Sequence, residues 1–219
     1  MSDARRSVFT FAGSAVDVTW DQRLCIHVAE CTRAREEIFV SGRTPWGDPD
    51  RADADTVAEV VERCPSGALA HARTDGGPAE SPPAENIIVV ANAGPLYVRG
   101  DLRIAGASAD MAGVRTRAAL CRCGLSSNKP FCDNSHEEAG FNDRGAIGAA
   151  DAPAPGPGGE LAITPSPNGP LLIQGAVTLI TGAGRRATST SKTALCRCGQ
   201  SSNKPFCDGA HNAAGFTTE

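Results

Sequence analysis

Cys196-Arg197-Cys198-Gly199-Gln200-Ser201-Ser202-Asn203-Lys204-Pro205-Phe206-Cys207-Asp208-Gly209-Ala210-His211 puts three thiols and one imidazole into a single short run. The same run stands upstream as Cys121-Arg122-Cys123 through Cys132-Asp133-Asn134-Ser135-His136, and each position recurs 75 residues later without a gap. From Cys121 to Phe141, 16 of 21 positions are identical to Cys196 through Phe216, so the chain contains an internal duplication. Cys-x-Cys, eight residues, Cys, three residues, His is a metal-site spacing, and three thiolates with one imidazole accept either zinc or an iron-sulfur cluster. The other three of the nine cysteines lie near the N-terminus. An odd cysteine count without a secretory leader argues against a disulfide framework and for metal or redox chemistry.

Outside the ligands the match continues: Gly94-Pro95 pairs with Gly169-Pro170, Gly100 with Gly175, and Ala119-Leu120 with Ala194-Leu195. Short apolar runs of β type precede each ligand set, at Ile87–Val90, Leu96–Val98 and Leu102–Ile104 in the first copy and at Leu171–Ile173 and Val177–Ile180 in the second. A unit of about 60 residues with so few strands buries too little surface to stand alone, which predicts that the copies pack on each other.

Both stretches resemble the CDGSH-type (mitoNEET-like) iron-sulfur domain, with the signature C-x-C-x2-[S/T]-x3-P-x-C-D-G-[S/A/T]-H. Cys196, Cys198, Ser201, Pro205, Cys207, Asp208, Gly209, Ala210 and His211 meet every element, and the first copy departs only at Asn134, where the family has glycine. Asn is the best non-glycine residue for a position of positive φ. The resemblance implies a 2Fe-2S cluster in each copy, with Cys121 and Cys123 on one iron and Cys132 and His136 on the other. Cys196 and Cys198, then Cys207 and His211, take the same places in the second. It also implies a pseudo-two-fold pair with a shared β-cap above two cluster-binding lobes, a dimer fused into one chain. Between the ligands, Ser126, Pro130, Phe131 and their twins Ser201, Pro205 and Phe206 read as loop-shaping groups. Asp133 and Asp208 read as acceptors of backbone N–H groups before a short helix. Arg122, Lys129, Arg197 and Lys204 read as solvated surface charges.

The N-terminal segment carries Cys25-Ile26-His27-Val28-Ala29-Glu30-Cys31 and later Cys64-Pro65. A strand is expected around Ala15–Trp20. A helix follows, signalled by the capping-box form Thr56-Val57-Ala58-Glu59 and by Ala54, Val57, Val60 and Val61 at helical spacing until Cys64-Pro65 stops it. The constellation is similar to a divergent single-cluster ferredoxin whose Cys-x2-Cys-x2-Cys run has Val28 in place of its middle cysteine. Three thiolates from Cys25, Cys31 and Cys64 suit a 3Fe-4S cluster; a 4Fe-4S cluster with His27 as fourth ligand is the alternative, and buried structural thiols are the plain one. His27 otherwise hydrogen-bonds a sulfur. Trp20 and Trp46 are expected to pack around the cluster, and His71 to lie on the surface.

The fold expected is α+β: a small ferredoxin-like α/β domain at 1–75, a linker at 76–84, CDGSH domains at 85–145 and 160–219, and a second linker at 146–159. Both linkers are rich in proline and glycine and too poor in apolar groups to pack. A net charge of −4 with no Lys/Arg block gives no field for nucleic acid, and no apolar run reaches membrane-spanning length. No nucleotide loop, Ser/His/Asp set or flavin fingerprint points to an enzyme. The reading is a cytoplasmic, monomeric multi-cluster protein that moves single electrons between protein partners. A 2Fe-2S donor or redox- and pH-responsive sensor is the alternative, and a zinc-stabilised interaction module the third.

Overall fold

Val16 and Val18 alternate with polar neighbours along Val16–Asp21 (β2), so one face of that strand is buried; Val8–Phe11 (β1) and Leu69–Arg73 (β3) flank it in an antiparallel sheet of order β1-β2-β3. The computed structural model describes residues 7–34, 37–148 and 158–218; the charged N-terminus Met1–Arg6 and residues 149–157, most of the second expected linker, lie outside them. The helix Ala54–Glu62 (α2) packs on this sheet, and the short helix Glu30–Ala34 (α1) packs on α2. The start of α2 lies upstream of the expected capping box. Asp53 is the N-cap, accepting from the Thr56 amide at 2.9 Å and the Thr56 hydroxyl at 2.8 Å, so Thr56 donates to the cap instead of being it. Val57, Val60 and Val61 are fully buried as their spacing predicts, and the helix ends just before Cys64-Pro65.

The larger sheet has seven strands: Ile87–Val90 (β4), Leu96–Arg99 (β5), Asp101–Ile104 (β6), Arg117–Leu120 (β7), Glu160–Pro165 (β8), Leu171–Ile180 (β9) and Arg186–Leu195 (β10). Their order is β6-β8-β9-β4-β5-β7, with β10 on β9. Strands of the two copies interleave. β6 runs parallel to β8, and the far end of β9 runs parallel to β4, so each copy completes the other's edge. The runs Leu171–Ile173 and Val177–Ile180, expected as separate strands, are one continuous strand through Gly175 at φ +119. Their counterparts β5 and β6 stay separate at Gly100, where the buried Asn86 side chain accepts from the Asp101 amide at 3.0 Å and donates to the carbonyls of Gly159 and Ala176 at 2.9 Å each. Asn86 thereby ties the two copies together.

Two side chains stand elsewhere than expected. The side chain of His71 is only 1% exposed, with Nε2 3.0 Å from Glu62 Oε1 and Nδ1 buried with no partner among the described residues, because β3 turns it toward the α2 side instead of to solvent. The proline-rich segment after Asp75 is held by charge where apolar groups are lacking. Glu80 accepts from Arg117 at 2.7 Å through each carboxylate oxygen, and also from the Thr116 hydroxyl. Arg117 is fully buried; its remaining N–H groups donate to the carbonyls of Val61 (2.9 Å), Cys64 (2.6 Å) and Leu69 (3.0 Å), locking the N-terminal sheet and α2 onto β7.

Candidate metal centres

In each copy the last strand before the ligands, β7 or β10, delivers Cys-x-Cys, and a loop returns through Pro130-Phe131 or Pro205-Phe206 to the third cysteine. Phe131 bridges to Leu120 and Phe206 to Leu195, setting the loop's depth. Ser126 Oγ donates to Phe131 O and Ser201 Oγ to Phe206 O, both at 2.7 Å, which fits the loop-shaping role. Asp133 joins the two ends of the site: one carboxylate oxygen accepts from the Ser127 amide and hydroxyl at 2.8 Å, the other from the Ser135 amide at 3.1 Å and hydroxyl at 2.6 Å. Asp208 repeats this on Ser202 and Ala210. Asn134 and Gly209, at φ +76 and +87, then turn the chain into the short helices Ser135–Glu138 (α3) and Ala210–Ala213 (α4), which carry His136 and His211. Asn134 therefore occupies the left-handed position that its place in the motif predicts.

The ligand candidates meet in pairs. Cys121 and Cys123 Sγ lie 3.7 Å apart, as do Cys196 and Cys198; Cys132 Sγ is 3.4 Å from His136 Nδ1 and Cys207 Sγ 3.5 Å from His211 Nδ1. A tetrahedral metal with sulfur bonds of about 2.3 Å and nitrogen bonds of about 2.0 Å spaces two sulfurs by about 3.75 Å and a sulfur and nitrogen by about 3.5 Å. Each pair thus has the separation of two ligands on one metal. Among the described residues no three Cys, His, Asp or Glu side chains converge on a single ion. Each site therefore offers its ligand candidates as two pairs.

Burial pushes Cys132 up to about 12, while the hydrogen bond from Cys123 draws Cys121 down to about 6 and leaves Cys123 high. His136 is held below its ordinary range by burial and by Arg122, against the opposing pull of Glu137 and Asp133, so its nitrogen is available as a ligand near neutrality. Arg122 and Arg197 are buried, not solvated as their charge suggests. Each reaches back from between two cysteines to main-chain carbonyls, Gly94 and Ala91 in one copy, Gly169 and Ser166 in the other, and lies over Phe141 or Phe216. Lys129 and Lys204 donate to Ser126 O and Ser201 O at 2.5 and 2.6 Å.

Cys25, Cys31 and Cys64 line one cavity of about 430 Å³ with Trp20, His27 and Trp46. Cys31 is pushed up to about 11 by burial and by the facing thiols of Cys64 and Cys25. His27 Nδ1 lies 3.8 Å from Cys25 Sγ, and His27 and Ala29 both take positive φ, curling the loop around the cavity. Trp20 and Trp46 rings pack 5.2 Å apart, and the buried Trp20 indole N–H has no acceptor among the described residues. A sulfide-bearing group in this cavity would meet the thiols of Cys25, Cys31 and Cys64.

The three sites adjoin. Ile26 packs with Ala119, Cys132 and Tyr97, and Val28 walls both the N-terminal cavity and a second one beside His136. Between the copies, a side-chain carbon on Gly124 would come within 2.6 Å of Cys198 O, and one on Gly199 within 2.4 Å of Cys123 O, so the Cys-x-Cys loops touch backbone to backbone. The sites are unequally covered: Cys132 and His136 are buried, whereas Cys207 and His211 are partly exposed. Sequence reasoning missed Ile26, Arg117 and Glu80. The one available signal was that Arg117 has Lys192 as its twin, a departure within the repeat.

Residues 93–137 and 168–212 match the family described as iron-binding zinc finger, CDGSH type, and residues 11–74 match that described as divergent 4Fe-4S mono-cluster. The second description names four irons, where Val28 led to an expectation of three. Two curated relatives, both named uncharacterized protein YjdI, from Escherichia coli strains K12 and O157:H7, are 39% identical over 59 residues, covering 27% of this chain and 78% of theirs. No solved structure matches the chain significantly. Among the described residues no helix is long and apolar enough to cross a membrane.

Proposed function

We infer, because the chain belongs to the iron-binding CDGSH-type family and joins two such domains to a divergent 4Fe-4S mono-cluster domain, that this iron-sulfur protein passes single electrons between protein partners. The observation that carries the reading is the unbroken contact from the Cys25–Cys31 loop through Ile26 to Cys132, and from Cys123-Gly124 to Cys198-Gly199. A cluster supplies a site that accepts and releases one electron. The chain's own residues would hold three such sites in sequence, and they bury the ligand candidates of the second, Cys121, Cys123, Cys132 and His136.

In this reading Cys121, Cys123, Cys132 and His136 hold one 2Fe-2S cluster, and Cys196, Cys198, Cys207 and His211 another, as the paired spacing supports. The interleaved sheet serves as their common cap, and the chain acts as a monomer with an internal pseudo-dimer. Cys25, Cys31 and Cys64 hold the third cluster. Three thiols alone suit a three-iron form, and His27, with Nδ1 3.8 Å from Cys25 Sγ, either hydrogen-bonds that sulfur or serves as fourth ligand of a four-iron form. Anaerobic protein should contain sulfide and iron in the ratio of two 2Fe-2S clusters plus one larger cluster, and after rapid mixing with a limiting reductant the electron should appear in the 2Fe-2S signals with first-order kinetics independent of protein concentration. Concentration-dependent transfer would mean that the clusters do not exchange within one chain. A colourless zinc protein would remove the reading altogether. Donation of a cluster is the second reading, favoured by the partial exposure of Cys207 and His211; it predicts loss of one cluster to an apo-acceptor while the other stays.

A further inference from the structure

The two CDGSH sites share ligands but not surrounding charge. In the first, Arg122 forms a buried ion pair with the Asp143 carboxylate and also donates to the Asp143 carbonyl at 3.0 Å. Seventy-five residues on, Thr218 stands where Asp143 does; its amide and hydroxyl engage Asn168 Oδ1 at 2.9 and 3.1 Å. Arg197 keeps the stance of Arg122, donating to Gly169 O at 2.9 Å and Ser166 O at 2.6 Å, and among the described residues no carboxylate pairs with it. The exposed pair Glu137 and Glu138 after the first histidine becomes Asn212 and Ala213 after the second. Three carboxylates flank one site, and neutral residues hold all three places at the other.

We propose that Asp143, with Glu137 and Glu138, sets the first CDGSH site at a lower reduction potential than the second, so that one electron given to the pair rests on the second, more exposed site. The proposal rests on the iron-sulfur reading above. Reduction adds one negative charge to a cluster, so nearby carboxylates oppose it and a bare buried cation favours it. Exposure acts in the same direction, since water stabilises the more highly charged reduced state. The lysines balance: Lys204 faces Asp143, and Lys129 lies 5.9 Å over Phe216 of the other copy. In the balanced step one electron converts the second site from oxidised to singly reduced, the first stays oxidised, and no proton moves.

The test is a mediated dithionite titration of the anaerobic full-length protein, followed by visible and electron paramagnetic resonance spectra. Two separated one-electron steps are expected from the CDGSH clusters. Asp143→Asn should raise the lower step and leave the upper in place, and Thr218→Asp should lower the upper step. If Asp143→Asn loses iron, Glu137→Asn at the exposed helix position answers the same question by raising the lower step alone. Coincident steps in the unmodified protein, or a carboxylate change in the first copy that moves the upper step, overturns the proposal. Absence of any 2Fe-2S signal would instead defeat the cluster assignment itself.

Discussion

Replacing Arg117 by Met removes a guanidinium that is fully buried and makes five hydrogen bonds, two to Glu80 and three to the carbonyls of Val61, Cys64 and Leu69. Met fills similar volume, so the loss is polar. Breaking a buried pair from one side costs about 3–5 kcal/mol, and each carbonyl left dry adds to it, while the 13% exposure of Glu80 lets that carboxylate recover some water. At about 2–4 °C per kcal/mol for a protein of this size, the melting midpoint should fall by roughly 6–20 °C. Because Arg117 holds the carbonyl of Cys64, the N-terminal cluster should be lost first on heating. The assay is calorimetry of the loaded protein with iron counted along the scan. Adding Glu80→Leu should recover part of the loss, since no lone carboxylate then remains. Although desolvation raises the Glu80 pKa, Arg117 and Thr116 hold it below its ordinary value. Its contribution is therefore present above the ordinary glutamate pKa and fades as pH falls through the depressed one, a slope that Arg117→Met should flatten. A midpoint within about 2 °C of the parent, with all clusters retained, would refute the idea that this guanidinium joins the N-terminal domain to β7.

Cys132→Ser and Cys207→Ser should each remove one 2Fe-2S signal and leave the other; loss of both from either change would contradict independent sites. Gly124→Ala places a methyl against Cys198 O at a left-handed position and should destabilise the protein by at least about 2 kcal/mol in chemical denaturation, whereas a neutral result would mean the two loops are not in contact. His27→Ala tests the third site: in oxidised protein a 3Fe-4S resonance that grows on substitution identifies His27 as a ligand, and a spectrum that does not change excludes it.

The metal-binding residues were legible because their spacing is local and written twice. α2 was legible from three valines at helical spacing, though its cap is Asp53, three residues before the capping-box form at Thr56. What escaped depends on distant parts of the chain. Arg186–Leu195 is mostly polar with no strict alternation, and becomes β10 only because β9 offers it a ladder. The merging of two runs into β9, and the opposite outcome at Gly100, turn on Asn86, which no periodicity marks. Arg122 and Arg197 read as surface charges from composition, yet carbonyls of the turns at 91–94 and 166–169 receive them. Ion pairs such as Arg117 with Glu80 join residues 37 apart, and a charge in a proline-rich stretch gives no hint of its partner.

The exchange of strands between the copies has a consequence for how they diverge. In a symmetric homodimer one gene writes both halves, so any substitution is made twice and the two sites stay alike. Here β6 still completes β8 and the far end of β9 still completes β4, so each half depends on the other for its edge, but each is spelled separately. The shared ladder keeps the halves together while separate spelling lets them drift apart in charge, and Asp143 facing Thr218 across the repeat records that drift.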